Sequence, residues 1–134
     1  MFTLTQTVDA PPTEVARAFT EPEPFAAWFV ADGFTTPADR VTIDARRGGL
    51  ISAVFVSADG SSEVPFTIRF GSVDLPRQVV LYVDDPEEVT VELTDAGAGQ
   101  TRLDYRSTGL APEHENEVRT GVAHMLGCLV AYFE

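Results

Sequence analysis

Residues 112–134 read PEHENEVRTGVAHMLGCLVAYFE. When successive residues are placed about 100° apart, the apolar side chains of this stretch fall within one narrow sector, as on an amphipathic helix. Pro112 occupies a favoured first-turn position, and Gly121 and Gly127 weaken a helix without preventing it. The pattern predicts one long helix that needs a partner surface for its apolar stripe, which consists of Val118, Val122, Met125, Leu126, Leu129 and Phe133.

Most of the chain before this helix alternates between apolar and polar residues with period two, which is typical of strands. Seven strands are predicted, at residues 2–8, 41–46, 50–57, 66–70, 79–83, 89–93 and 103–105. Short turns separate the later strands, among them Gly48-Gly49, Asp59-Gly60, Leu75-Pro76 and Asp84-Asp85-Pro86. Such short connections favour an antiparallel meander. Pro65 lacks an amide donor, so its strand either starts after it or lies at an edge there.

Two short helices are expected between the first strand and the meander. The first follows Pro11-Pro12, and the second begins at Thr20, where Thr20 and Glu23 have the spacing of a capping box. The segment from Gly33 to Arg40 is predicted to be a loop. One face of the sheet would pack on the C-terminal helix, which gives a two-layer α+β domain over residues 1–134.

The composition restricts the possible partners. The net charge is −12, with nine arginines and no lysine, which argues against binding to nucleic acid or to anionic membranes. No run is apolar and long enough for membrane insertion. The first twenty residues lack the pattern of an export signal, so we expect a cytoplasmic protein. Cys128 is the only cysteine, which excludes an internal disulfide.

Several short motifs resemble one family. They are the opening Val8-Asp9-Ala10-Pro11-Pro12 with Trp28-Phe29, the D-x-R-x-G-G stretch from Asp44 to Gly49, the turn Val73-Asp74-Leu75-Pro76, the strand Thr101-Arg102-Leu103, and Ser107-Thr108-Gly109-Leu110 before the last helix. Together they resemble the activator of Hsp90 ATPase homologue family, within the helix-grip (START/SRPBCC-like) superfamily. Val122 departs from the pattern, because a tryptophan commonly follows the glycine that corresponds to Gly121.

The resemblance implies a helix-grip fold, in which a curved antiparallel sheet of about seven strands wraps around the long C-terminal helix. It also implies a cavity between sheet and helix that holds apolar molecules in the wider superfamily. The residues expected to line this cavity are Gln6, Trp28, Phe55, Phe66, Ile68, Phe70, Leu81, Val91, Leu103, Tyr105, Val122, Met125 and Leu129. Gln6, Tyr105 and Ser107 are the polar groups expected to orient a ligand.

Common catalytic and cofactor motifs are absent from the sequence, and no cofactor or catalytic residue is assigned. His124 is expected on the solvent side of the helix, and His114 with Glu117 makes a poor metal pair, so no metal site is predicted. Cys128 is interpreted as a small buried apolar residue. The acidic pairs Asp84-Asp85 and Glu87-Glu88 are expected in a solvated turn, where carboxylates keep their ordinary properties.

The leading hypothesis is a protein that binds an apolar or amphipathic small molecule without catalysis. One alternative is a cyclase or aromatase enzyme, which requires an inward acid or base such as Tyr105 or His114. The other is a co-chaperone-type interaction module, whose surface would carry the function. A homodimer is also predicted, because Val54, Val56, Val80 and Tyr82 point away from the predicted inner face of the sheet.

Overall fold

The computed structural model describes residues 1–84 and 87–134. Its strands are β1 (Phe2–Val8), β2 (Phe34–Thr35), β3 (Thr42–Ile43), β4 (Leu50–Ser57), β5 (Glu63–Asp74), β6 (Gln78–Asp84), β7 (Glu87–Gly97) and β8 (Gln100–Thr108). Its α-helices are α1 (Pro12–Val15), α2 (Pro22–Trp28) and α3 (Pro112–Tyr132), and short 3₁₀ helices cover Ala16–Phe19 and Ala38–Arg40. The chain therefore has the predicted α+β helix-grip architecture.

The strands form one antiparallel sheet in the order β1-β8-β7-β6-β5-β4-β2, with β3 also paired to β4. Strands β4 to β8 make the predicted meander, and the N-terminal strand β1 joins it beside β8. The described residues form eight strands, whereas about seven were predicted. The additional strand is the two-residue strand Phe34–Thr35, which lies in the segment expected to be a loop. The predicted strand over residues 41–46 shortens to Thr42–Ile43, since a tight turn begins at Asp44.

The period-two alternation places one set of side chains on the concave side of the sheet, in rows that run across the strands. Directly paired residues define these rows as Phe70–Leu81–Val89–Ser107–Phe2, Val73–Val79–Val91–Tyr105–Leu4 and Leu93–Leu103–Gln6. Most of these side chains are buried, whereas the alternate positions carry mainly threonine and charged residues. The concave side therefore forms one wall of the hydrophobic core.

Helix α3 provides the opposite wall, as its apolar stripe predicts. Val122, Leu126 and Leu129 are buried, and Val118, Met125 and Phe133 are partly buried and pack against the same core. The helix contacts β1 and α2. No helix among the described residues is long and apolar enough to cross a membrane.

The short helices close one end of the core. Trp28 is buried on α2 and donates a hydrogen bond from Nε1 to the Ala18 carbonyl oxygen at 2.8 Å. The predicted capping box is wrong, because α2 begins at Pro22 after Glu21 and no side chain caps its first turn. Proline at the first helical position fixes the backbone there without a capping side chain.

Two predictions about turns depend on backbone detail. Pro65 lies inside β5, paired with Val54 of β4, while the pairing of β5 with β6 starts at Arg69, so Pro65 lies at an edge as expected. Gly48 adopts a φ of +80° in the predicted Gly48-Gly49 turn, a conformation that favours glycine. The predicted turn at Asp84-Asp85-Pro86 includes Asp85 and Pro86, which lie outside the described residues.

We predict that Leu126→Ala lowers the free energy of unfolding by about 2–5 kcal/mol, because the Leu126 side chain of α3 is fully buried in the hydrophobic core. Urea unfolding followed by circular dichroism measures the change. Leu50→Ala is the matched control, since Leu50 is 47% exposed, and it should cost less than about 1 kcal/mol. Equal losses in the two variants would contradict the assigned core.

Candidate functional site: the concave wall of the sheet

The structure places the predicted cavity residues on the core side of the sheet and on the helices that cover it. Those that are buried are Trp28, Ile68, Phe70, Leu81, Val91, Leu103, Tyr105, Val122 and Leu129. Gln6, Phe55, Phe66 and Met125 are partly exposed. The predicted cavity residues are therefore part of the hydrophobic core or border it. A cavity between sheet and helix remains a prediction.

An aromatic cluster occupies the end of the concave wall near α2. The ring centroids of Phe55 and Phe66, on β4 and β5, are 4.3 Å apart, and Phe29 lies 5.4 Å from Phe66. Phe34 of β2 approaches Phe55 at 6.4 Å. Because Phe34, Phe55 and Phe66 are each partly exposed, this end of the wall offers an apolar surface that reaches solvent.

A polar pair is buried where β7 begins and β8 ends. Ser107 is fully buried, and its hydroxyl donates a hydrogen bond to Oε2 of Glu87 at 2.6 Å. The Glu87 side chain is 5% exposed, although it lies at the first residue of β7. A carboxylate is therefore held on the concave wall, two residues along the strand from buried Val89.

The burial of Glu87 corrects the prediction that this carboxylate is solvated in a turn. Position 87 lies two residues before Val89. The alternation that points Val89, Val91 and Leu93 inward therefore also points Glu87 inward. Glu88 has the expected exposure, since it points to the opposite face. Ser107 was predicted from the sequence as a polar group facing the ligand, and its acidic partner was missed.

Tyr105 lies on the same strand and the same face as Ser107, and its ring stacks against Phe2 with centroids 6.4 Å apart. Burial raises the pKa of the Tyr105 phenol above its ordinary value of 10, and the nearby Glu87 carboxylate raises this pKa further. The phenol therefore stays protonated at neutral pH. Glu87, Ser107 and Tyr105, which we call the inner polar cluster, bring charge and hydrogen-bonding groups to an otherwise apolar wall.

Gln6 lies outside the inner polar cluster. It pairs directly with Leu103 in the third row, whereas Ser107 lies in the first. Its side chain is partly exposed, so its amide reaches solvent and does not need a buried partner. The structure thus separates Gln6 from the two polar residues with which it was grouped.

Two surface pockets lie outside the space between the sheet and α3. A groove of about 640 Å³ is lined by Pro12, Asp74, Pro76, Arg77, Gln78, Glu92, Leu93, Thr94 and Asp95. A pocket of about 300 Å³ on the outer face of β5 and β6 is lined by residues that include Arg47, Arg69, Tyr82 and Glu88. Of the predicted cavity residues, Phe70 lines the second pocket and none lines the first.

The two histidines lie on exposed positions of α3. His124 Nε2 is 3.9 Å from the sulfur of Cys128, one turn along the helix, and Cys128 is partly buried. Within residues 1–84 and 87–134, no group of three or more His, Cys, Asp or Glu side chains is arranged to hold a metal ion.

The apolar side chains on the outer face of the sheet, from which a homodimer was predicted, are less exposed than expected. Val54 is 4% exposed, and Val56, Val80 and Tyr82 are partly exposed. The Arg69 guanidinium lies over the Tyr82 ring, 4.3 Å from its centroid, and so covers part of this surface. The structure describes one chain, and a dimer remains a prediction.

Comparison with known proteins identifies the family. The sequence profile described as activator of Hsp90 ATPase homolog 1-like protein matches residues 9–134. The chain thus belongs to the activator of Hsp90 ATPase homolog 1-like family, and its structure has the helix-grip fold that the sequence motifs predicted. No curated protein matches the chain.

Solved structures share this fold across almost the whole chain. A Chromobacterium violaceum protein superimposes with a TM-score of 0.81 at 24% identity, covering 99% of this chain and 96% of its own. A Nitrosomonas europaea protein gives 0.80 at 21% identity, covering 97% and 91%. An AHSA1-like protein from Aeromonas hydrophila gives 0.73 at 20% identity, covering 98% and 94%. At these identities the likeness establishes the fold alone.

The raised pKa of Tyr105 predicts a loss of stability at alkaline pH. Above pH 10 the unfolded chain releases the phenolic proton while the folded protein retains it, so the free energy of unfolding falls as the pH rises. The stabilisation is fully present below pH 10. Above pH 10 the free energy of unfolding falls by roughly 1 kcal/mol per pH unit. Urea unfolding between pH 9 and pH 11 should therefore show a steeper decline for the wild type than for Tyr105→Phe. Parallel declines would contradict the buried, protonated phenol.

Proposed function

We propose that this protein binds an apolar or amphipathic small molecule between the concave face of its sheet and helix α3, without catalysing a reaction. The observation that carries the proposal is the inner polar cluster, in which a buried carboxylate and a buried hydroxyl share a 2.6 Å hydrogen bond on an apolar wall. Small-molecule sites commonly combine apolar walls with a few converging polar groups.

Removing a carboxylate from water costs free energy, and the hydrogen bond from Ser107 is one of the interactions of Glu87 that offset this cost. Apolar residues of similar size at positions 87 and 107 would pack this end of the wall without that cost. A polar pair in this place favours a role in recognition over a role in stability.

The remaining surface of the proposed site is apolar and adaptable. Met125 projects from α3 toward the core and is partly buried, and its unbranched thioether chain can repack around ligands of different shape. The aromatic cluster of Phe34, Phe55 and Phe66 supplies partly exposed apolar surface on β2, β4 and β5. A ligand with an apolar body would contact these residues while its polar end meets the inner polar cluster.

The fold is compatible with this proposal and does not by itself assign an activity. A homodimer and a cytoplasmic location remain predictions from the sequence. The co-chaperone alternative places function on the surface, and it predicts that the interior takes no ligand.

Native mass spectrometry of the gently purified protein tests the proposal. We predict an added mass that disappears on denaturation, or that appears when C10 to C16 amphiphiles are added. Val122→Trp should reduce this occupancy, because Val122 is a buried α3 residue that faces the core and a tryptophan would fill space beside it. Ala123→Trp, at the adjacent exposed position, is the matched control and should leave occupancy unchanged.

The bare chain mass under every one of these conditions, from a sample shown to be folded by circular dichroism, would contradict ligand binding. It would favour the interaction-module alternative.

A further inference from the structure

We infer that the protein has a second binding site, on the outer face of the sheet, for a small molecule that carries a phosphate monoester. The site is the pocket of about 300 Å³ that β5 and β6 form with the turn before β4. We call it the arginine pocket, because Arg47 and Arg69 both line it. It lies on the opposite side of the sheet from the proposed concave site, so the inference goes beyond the proposed function.

The turn before β4 is attached to β5 by two backbone hydrogen bonds. The Gly48 amide donates to the Phe70 carbonyl oxygen at 3.0 Å, and the Phe70 amide donates to the Gly49 carbonyl oxygen at 2.9 Å. These bonds hold Arg47, which precedes Gly48, beside the segment of β5 that carries Arg69. Two cationic side chains that are far apart in sequence therefore line one pocket.

An aromatic ring positions the Arg69 guanidinium. The guanidinium lies 4.3 Å from the centroid of the Tyr82 ring, a cation–π contact between directly paired residues of β5 and β6. Tyr82 in turn packs against the backbone of Gly71, where a Cβ would lie 3.0 Å from the ring carbon Cε2. The ring contact uses no oxygen acceptor, so the N–H donors of Arg69 remain available to an anion. A donor that is positioned before binding loses less conformational entropy when the ligand binds.

The two arginines of this pocket form no ion pair with the residues that the structure describes, although the chain has 21 acidic residues. Five of the other arginines do form ion pairs with aspartate or glutamate, namely Arg17, Arg40, Arg46, Arg77 and Arg102. Glu88 is the acidic residue of the pocket lining, so the lining carries two positive charges and one negative charge. The pocket is therefore a locally positive site on a chain with a net charge of −12.

The donors of the arginine pocket match a phosphate monoester better than a carboxylate. One guanidinium forms two parallel hydrogen bonds with a carboxylate and so engages both of its oxygens. A phosphate monoester has three terminal oxygens and a charge of about −1.5 to −2 at neutral pH, so it can bind two guanidiniums at once. Ser72, in the bulge where the pairing of β5 with β6 shifts register, adds a hydroxyl donor. Val80 and Tyr82 offer apolar surface to a small organic group on the phosphate.

Titration with phenyl phosphate, followed by two-dimensional NMR of the backbone amides, tests the inference. At pH 7.5, where the monoester is mainly doubly charged, we expect saturable shifts of the Gly48, Gly71 and Ser72 signals. The dissociation constant should be about 1 mM or lower. The signal of Leu126, in the hydrophobic core, should not shift. Benzoate, with one negative charge, and inorganic phosphate, with no organic group, should each bind about fivefold more weakly or less.

Variants that change one exposed charge locate the site. Arg47→Gln and Arg69→Gln should each weaken phenyl phosphate binding about tenfold, because each removes charge-assisted hydrogen bonds. Arg119→Gln is the matched control, since it removes an equal charge from α3, outside the pocket, and it should change the affinity less than about twofold. Glu88→Gln removes a repulsive charge from the lining and should strengthen binding about threefold, whereas Glu113→Gln on α3 should not.

The outcomes separate the site from its ligand class. The absence of saturable shifts at up to about 20 mM phenyl phosphate, or an equal loss of affinity in Arg47→Gln and Arg119→Gln, would overturn the arginine pocket as a binding site. Benzoate or inorganic phosphate binding as tightly as phenyl phosphate would overturn the assignment of a phosphate monoester. Circular dichroism verifies that each variant is folded. The concave site is tested independently by native mass spectrometry with amphiphiles.

Discussion

The structure depends on covering the concave face of the sheet. Rows of apolar side chains run across β1, β8, β7, β6 and β5, and an amphipathic sheet of this kind is stable in water when a second layer buries that face. Helix α3 supplies most of the cover with Val122, Leu126 and Leu129, and α2 adds Trp28 and Phe25. The order of elements follows from this constraint, because the covering helices flank the meander in sequence.

The inner polar cluster is the exception within that apolar layer. Thr101 is also buried on β8, but its hydroxyl donates to the Ala10 carbonyl oxygen at 2.7 Å and links the sheet to the segment before α1. That bond has an evident structural role. The Glu87–Ser107 bond joins adjacent strands that the backbone ladder already pairs, so it is not needed to bring these two strands together. This contrast is the reason for assigning recognition to the cluster.

The fold was largely predictable because its signals extend over many residues. The stripe of α3 spans about four turns, and the alternation of β7 and β8 is regular enough to assign the core face of each strand. The errors occurred where few residues carry the signal. A two-residue strand such as Phe34–Thr35 has no periodicity of its own and forms because β4 offers an edge.

Single side chains that break the pattern were harder to predict. The spacing of Thr20 and Glu23 fits a capping box, yet proline at position 22 starts α2 without one. Glu87 follows a predicted turn, where acidic residues are normally solvated. It is buried because β7 begins at Glu87, two residues before Val89, the first apolar residue of the strand. The inward direction of Ser107 was predictable because it lies within an uninterrupted alternation on β8, and its role toward a ligand remains a prediction. Sequence patterns therefore located the wall, and the three-dimensional structure located the charge on it.

The location of a bound ligand tests this account most directly, and a crystal structure of the protein with a C12 amphiphile would provide it. The account predicts that the alkyl chain lies between the concave wall and α3, with its polar end toward the inner polar cluster. An alkyl chain in the outer groove beside Arg77 and Glu92, with the concave wall packed directly against α3, would contradict it.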